Sequence, residues 1–307
     1  MAEKTMTWRR RLMLYSSFSV FALVAAFFLT FPYDALKERI RLEADSAGFF
    51  VRIGSLGPGF FSIRAKNVDV SKKAVGDAVP ESLRLDSVSV GPTLFPPGFG
   101  VWAKTFGGGV SARVSGVTTA RLKIDVDQLD LKDGNVKGVT GVDLSGIIDA
   151  HVDLKVPIVR LPNAPIELDV AQASGTFGMT ARNLTVHGGT VSIPIPQYGP
   201  EPTPLDLPRI LFGDLDATLT FDKGAGTVDT FKMKSNDLEA QASGTLKLAK
   251  RLEYAEPNIE LRFKPDPDFQ KRLGLIGSAL SIVGADPKDP TWRKGQLTGY
   301  LGRPAFR

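Results

Sequence analysis

The sequence predicts a mainly β protein: an N-terminal transmembrane helix, then an elongated antiparallel β-sheet that permits a curved, gutter-like section, with a helix near the C-terminus. Three observations lead there. Residues 12–33, LMLYSSFSVFALVAAFFLTFPY, carry no charge. Most of the remaining chain alternates apolar and polar residues, as strands do when one face is dry and the other wet. The longest alternation, VDLSGIIDAHVDLKVPI at 142–158, would run roughly 56 Å at about 3.3 Å per residue, where a strand usually has about five or six residues.

Taken in order, residues 1–11 read as a short cytoplasmic N-terminus and 12–33 as the membrane span, since about 20 apolar residues cross a bilayer. Trp8 and Tyr33 stand where interfacial aromatics belong, and Arg9, Arg10 and Arg11 hold the N-terminal side in the cytoplasm. A cleaved signal peptide is the rival reading. It needs a shorter apolar run and then a small-residue site, whereas this run ends in Phe27-Phe28-Leu29-Thr30-Phe31-Pro32. Residues 34–48 form a linker helix, with Leu36, Ile40, Ala44 and Ala47 at helical spacing and Gly48 as its stop.

Residues 49–307 then read as one exported β-rich domain. Strands are expected in FFVRIGSL, FFSIRAKNVDVSKK, ESLRLDSVSVG, ARLKIDVDQLDLKDGNVKG, residues 142–158, PIELDVAQASGTFGMTARNLTVHGG, DLDATLTFDKGAGTVDTFKMK and DLEAQASGTLKLAK. Asp133-Gly134-Asn135 and Lys223-Gly224-Ala225-Gly226 are turn signals between them. Ser-Gly or Thr-Gly precedes several alternating runs, and Gly116, Gly146 and Gly175 recur at near-equal spacing. Such glycines mark bends or bulges, and their regularity suggests a repeated unit stacking into an elongated sheet. Residues 193–210 hold six prolines and read as an extended surface loop. Residues 268–283 read as a helix packed on or plugging the sheet, with Phe269, Leu273, Ile276 and Leu280 on one face and Asp266 or Asp268 as its cap.

Composition excludes several functions. The net charge of +5 is largely N-terminal, where Lys4 and Arg9–Arg11 outweigh Glu3, so the exported part lacks a nucleic-acid footprint. With no cysteine there is no disulfide, thiol catalysis or thiolate metal site. His151, on a polar strand face, and His187, before Gly188-Gly189 in an expected turn, read as solvent-facing residues without partners. Asp125, Asp127 and Asp130, like Asp143, Asp149 and Asp153, read as a solvated face rather than a calcium or acid/base cluster. Gly107-Gly108-Gly109 lacks the Lys-Ser or Lys-Thr of a phosphate loop and reads as a turn. Neither catalysis, a metal nor a cofactor is implied.

What remains is an apolar stripe. Leu144, Ile148, Val152, Leu154, Val156 and Ile158 form either part of a closed core or the wall of an apolar groove, and alternation alone fits both.

The order of transmembrane run, short helix, GFFVRIGSLGPGFFSIRAKNVDVS and LRLDSVSVGPTLF resembles the opening of AsmA-like inner-membrane proteins. The stretch FGDLDATLTFDKGAGTVDTFKMKSNDLEAQASGTLKL and the closing GQLTGYLGRP are similar to the GspN family of type II secretion system proteins. These resemblances imply a single-pass inner-membrane protein with a periplasmic C-terminal β domain in a Gram-negative envelope. Its expected role is a non-catalytic component of a type II secretion system, with other secretion components as partners. The alternative is an AsmA-like lipid-binding or lipid-transfer protein with phospholipid in a β-groove.

Overall fold

The computed structural model describes residues 30–59, 61–72, 82–93, 95–134, 136–137, 142–159, 167–193, 203–274 and 283–306, with scattered positions from Trp8 to Ala26. Helix α1 (Tyr33–Ser46) leads through Gly48, at φ +84°, into β1 (Phe49–Gly59). The strands β2 (Ser62–Lys72), β3 (Leu83–Thr93), β4 (Gly98–Thr105), β5 (Gly108–Ser115), β6 (Thr119–Asp130) and β7 (Asp143–Val159) follow. Then come β8 (Glu167–Leu168), β9 (Ser174–Ile193), β10 (Thr203–Leu207), β11 (Ile210–Asp222), β12 (Ala225–Lys234), β13 (Leu238–Lys247) and β14 (Glu256–Pro265). Helix α2 (Pro267–Arg272), β15 (Arg293–Tyr300) and β16 (Arg303–Phe306) complete the chain.

All of the strands belong to one 16-stranded sheet with antiparallel pairing throughout, in the order β1-β2-β3-β4-β5-β6-β7-β9-β11-β12-β13-β14-β15-β16. Only β8 and β10 stand off this path, on β7 and β9. The fold is a meander, because short turns join most neighbours. Phe106-Gly107 and Lys223-Gly224 are two-residue turns with both φ angles positive, the geometry whose twist matches that of the flanking strands.

The stretch at 142–158 forms a strand of 17 residues, β7, and its partner β9 has 20. Gly146 is a bulge, the register shifting between Ser145 and Ile147. The Ser-Gly glycines share a conformation: Gly116, Gly146, Gly175 and Gly244 have φ between +113° and +147°. At Gly175 a Cβ would stand 2.0 Å from the Asp153 carbonyl oxygen on β7, so only glycine lets these backbones approach.

Several elements differ from expectation. The segment of residues 193–210 is partly regular: Thr203–Leu207 pairs with β9 as β10, where Pro204 is tolerated because an edge strand leaves one side of its backbone unladdered. Its residues 194–202 lie outside those described. Leu131–Gly134 forms a 3-10 turn instead of a tight hairpin, and Asn135 is outside the described residues. Helix α2 ends at Arg272; Ile276 and Leu280 are also outside. Asp266 is the cap, accepting from the Asp268 and Phe269 N–H groups at 2.9 and 3.4 Å. Nine of the 22 residues of the expected membrane span, with Arg9–Arg11, fall outside the described residues; those described from Trp8 to Thr30 are helical and exposed, and Tyr33 begins α1. Among the described residues no helix is long and apolar enough to cross a membrane.

Candidate functional site

Cross-strand register converts the alternation of each strand into a surface. One row runs Leu56, Ala65, Val88, Ala103, Val110, Val126, Ala150, Met179, Ala217, Phe231, each residue directly opposite the next, from β1 to β12. A second row beside it runs Pro58, Ile63, Val90, Val101, Ala112, Ile124, Val152, Phe177, Leu219, Val228. No polar side chain interrupts either row.

Around β7, β9 and β11 this face is closed at both strand ends and half-open between them, while on the first strands Ala65 is buried with Ile53 and Val68, and Ala217 is buried on β11. At one end Val156, Ala173, Phe221 and Leu248 form a buried cluster, with Leu154 packed against it. At the other, α2 seats Phe269 and Leu273 on Val186 and Ile210, and Leu144 joins them. Between these clusters Ile148, Ala150 and Val152 are only half-buried. Further along the face, Val90, Phe99, Val101 and Val114 are 36–70% exposed. The six residues of the β7 stripe therefore divide: Val156 is core, Leu144 and Leu154 line closed ends, Ile148 and Val152 lie on the open floor, and Ile158 is half-buried opposite Leu168.

The first row leads into a pocket. Phe231, its last member, lines a cavity of about 380 Å³ together with Leu207, Ile210, Phe212, Met233, Leu238, Ala240, Leu261, Phe263, Phe269, Leu273 and Phe306. Every lining residue is apolar, and the volume falls in the range of small-ligand sites. Asp237 holds the α2 end together. Its buried carboxylate accepts from the Leu211 N–H at 2.8 Å and from the Arg272 guanidinium, which also lies over the Phe269 ring. Turn composition gave no hint of this role.

The wet face carries a cross-strand ladder of charges. Arg121 grips Asp153 through two hydrogen bonds, with Lys123 at 3.5 Å. Asp149 accepts from the Gln128 N–H and pairs with Arg182 at 3.1 Å; Asp214 accepts from the Asn183 N–H. Gln128 and Asn183 are left-handed residues at bulges, so these carboxylates satisfy N–H groups that the ladder omits. Both histidines correct the expectation of unpartnered side chains. His151 Nδ1 lies 2.5 Å from Asp125 Oδ1, and His187, inside β9 rather than in a turn, has Nε2 2.7 Å from Ser145 Oγ. Asp125 also faces Arg113 at 3.7 Å. Among the described residues no three His, Asp or Glu side chains are grouped to hold a metal ion.

The Arg121 hydrogen bonds hold the Asp153 carboxyl below its ordinary value of 3.8, and the Lys288 N–H followed by Arg262 does the same for Asp286. A carboxyl lowered by folding adds stability that is complete above its unfolded value and is lost as pH falls through the folded value. Acid below about pH 4 should therefore lower the melting temperature. Asp153→Asn should melt below wild type at pH 7, and the gap should narrow progressively as pH falls below about 4; a gap that does not change with pH would contradict the assignment.

Comparison of the chain with known protein families, with curated proteins and with solved structures finds no match.

Proposed function

We propose that this chain is a non-catalytic, single-span protein of a Gram-negative inner membrane, whose periplasmic sheet curves into a gutter and receives the acyl part of a lipid on its apolar face. The observation that carries this reading is the uninterrupted apolar row from β1 to β12 that ends in the all-apolar pocket under α2. A core needs a second layer, and Ile148, Ala150 and Val152 have none that buries them. Contiguous apolar surface of this extent marks an interaction site, and a lipid chain needs no hydrogen-bonding partner from it. The charge-free run at 12–33, behind Arg9–Arg11, supports the anchor and its orientation.

A photo-crosslinking residue at position 152, in the full chain in its native envelope, should yield phospholipid adducts by mass spectrometry. Adducts only to the protein's own strands would overturn the reading.

A second reading follows from the sheet's edge and from the GspN resemblance: a component of a type II secretion system, acting in assembly or export. Arg303–Phe306 ends the strand order, and its backbone edge can accept a strand from another secretion component. A crosslinker at Ala305 that captures another envelope protein would favour this role.

A further inference from the structure

The two ends of the first strands differ in chemistry. Because β1 to β6 form an antiparallel meander, the β1–β2, β3–β4 and β5–β6 connections all lie at one end of the sheet. Residues 57–63, 87–103 and 114–120, which span these turns, contain no Asp, Glu, Lys or Arg. They display large apolar side chains: Phe95 is 95% exposed, Phe99 70%, Val117 66% and Phe61 51%. At the opposite end the pattern inverts. Phe106, in the β4–β5 turn, is buried with its carbonyl accepting from the Asp130 N–H, while Lys132 and Asp133 are exposed.

We propose that the Phe61, Phe95 and Val117 turns dock on the surface of the lipid bilayer from which the chain emerges. The apolar side chains come from three separate turns, and exposed Arg64, Arg113 and Arg121 stand immediately behind them, as basic residues stand behind the apolar points of a surface that meets a bilayer. A bilayer surface takes up just such points, since aromatic and aliphatic side chains partition into its interfacial layer. β1 begins at the opposite end of the sheet from these turns, so docking on that same bilayer requires α1, about 21 Å long at 1.5 Å per residue, to run back along β1, which it contacts.

The patch also continues onto the apolar face. Phe99 shares its strand face with Val101, which lies opposite Ala112; Ala112 faces Ile124, and Ile124 faces Val152 on the open floor. A chain leaving the bilayer there meets no polar side chain on its way to the groove. The docking rests on the membrane anchor proposed above, and this route rests in addition on the lipid reading.

The chain has no cysteine, so single labels are unique. Phe95→Cys, Val117→Cys and, as control, Lys132→Cys are each labelled with a polarity-sensitive fluorophore in the full chain. Each is then reconstituted in phosphatidylcholine–phosphatidylglycerol liposomes with or without brominated acyl chains. Positions 95 and 117 should show blue-shifted emission and loss of fluorescence with brominated lipid, position 132 neither, and added salt should not restore the signal. Labels at 95 and 117 as red and unquenched as at 132 would overturn the proposal, as would docking that salt abolishes. Shielding seen only in native envelope membranes, and not in pure lipid, would also overturn it and assign the turns to a protein partner. The crosslinker at 152 reports groove loading separately, so adducts there with unquenched turns would refute docking alone, and the reverse would refute loading alone.

Discussion

Val156→Asp is expected to abolish the folded protein, while Val152→Asp, on the same strand and face, leaves it folded. Val156 is 1% exposed and packs against Ala173, Phe221 and Leu248, all apolar. Burying an unpartnered charge belongs to the small class of changes that cost about 4–5 kcal/mol or more, a large share of the roughly 5–15 kcal/mol that holds a domain. Val152 lies on the open floor, where a carboxylate reaches water, and the expected cost is about 1 kcal/mol. Urea midpoints of the two purified variants, with the abundance of each in cells, measure the contrast. The Val152→Asp protein should also lose phospholipid on purification, since its charge lies where the chain is proposed to run. Equal collapse of both variants would mean that the apolar face is a sealed core.

The second large effect is expected at Asp237. Replacing it with Ala removes the acceptor of the Leu211 N–H and the partner of Arg272 together, and so detaches α2 from the start of β11. Breaking a buried pair costs about 3–5 kcal/mol, and the half-exposed Arg272 side chain recovers part of that from water. The net loss should be about 2–3 kcal/mol. Asp237→Asn keeps an acceptor for the Leu211 N–H and should lose about half as much. Denaturation midpoints give both values. Arg272→Ala tests the attribution, because combined with Asp237→Ala it should cost less than the sum of the single changes; strict additivity would mean that the two side chains act separately.

How much of this was legible in the sequence depended on whether the signal was local. β7 could be read from its alternation because one of its faces meets water along the whole strand. β4 and β5 escaped, since Gly98, Gly100 and Gly107–Gly109 break the alternation; at Gly98 a Cβ would stand 2.1 Å from the Val114 carbonyl oxygen, so glycine is required there. β10 hid among prolines that only an edge strand accepts. The histidine partners lie 26 and 42 residues away, on neighbouring strands whose register no local pattern announces. Open floor and closed core also share one pattern. What separates Val152 from Val156 is the covering supplied by Ala173, Phe221 and Leu248, from segments distant in sequence.

The strand order has a consequence for how the molecule comes into being. Along the main path each strand pairs with one close before it in the chain, from β1 to β16, and no strand waits for a partner made at the far end. Pairing of this kind closes short loops, which are entropically inexpensive and fast to form. The sheet can therefore grow by adding strands in order of synthesis, starting at the N-terminal edge, each new hairpin templated by the last. Its length is then a matter of hairpin number: adding or deleting one pair at a turn such as Lys223-Gly224 would lengthen or shorten the apolar face without redesigning a closed interior.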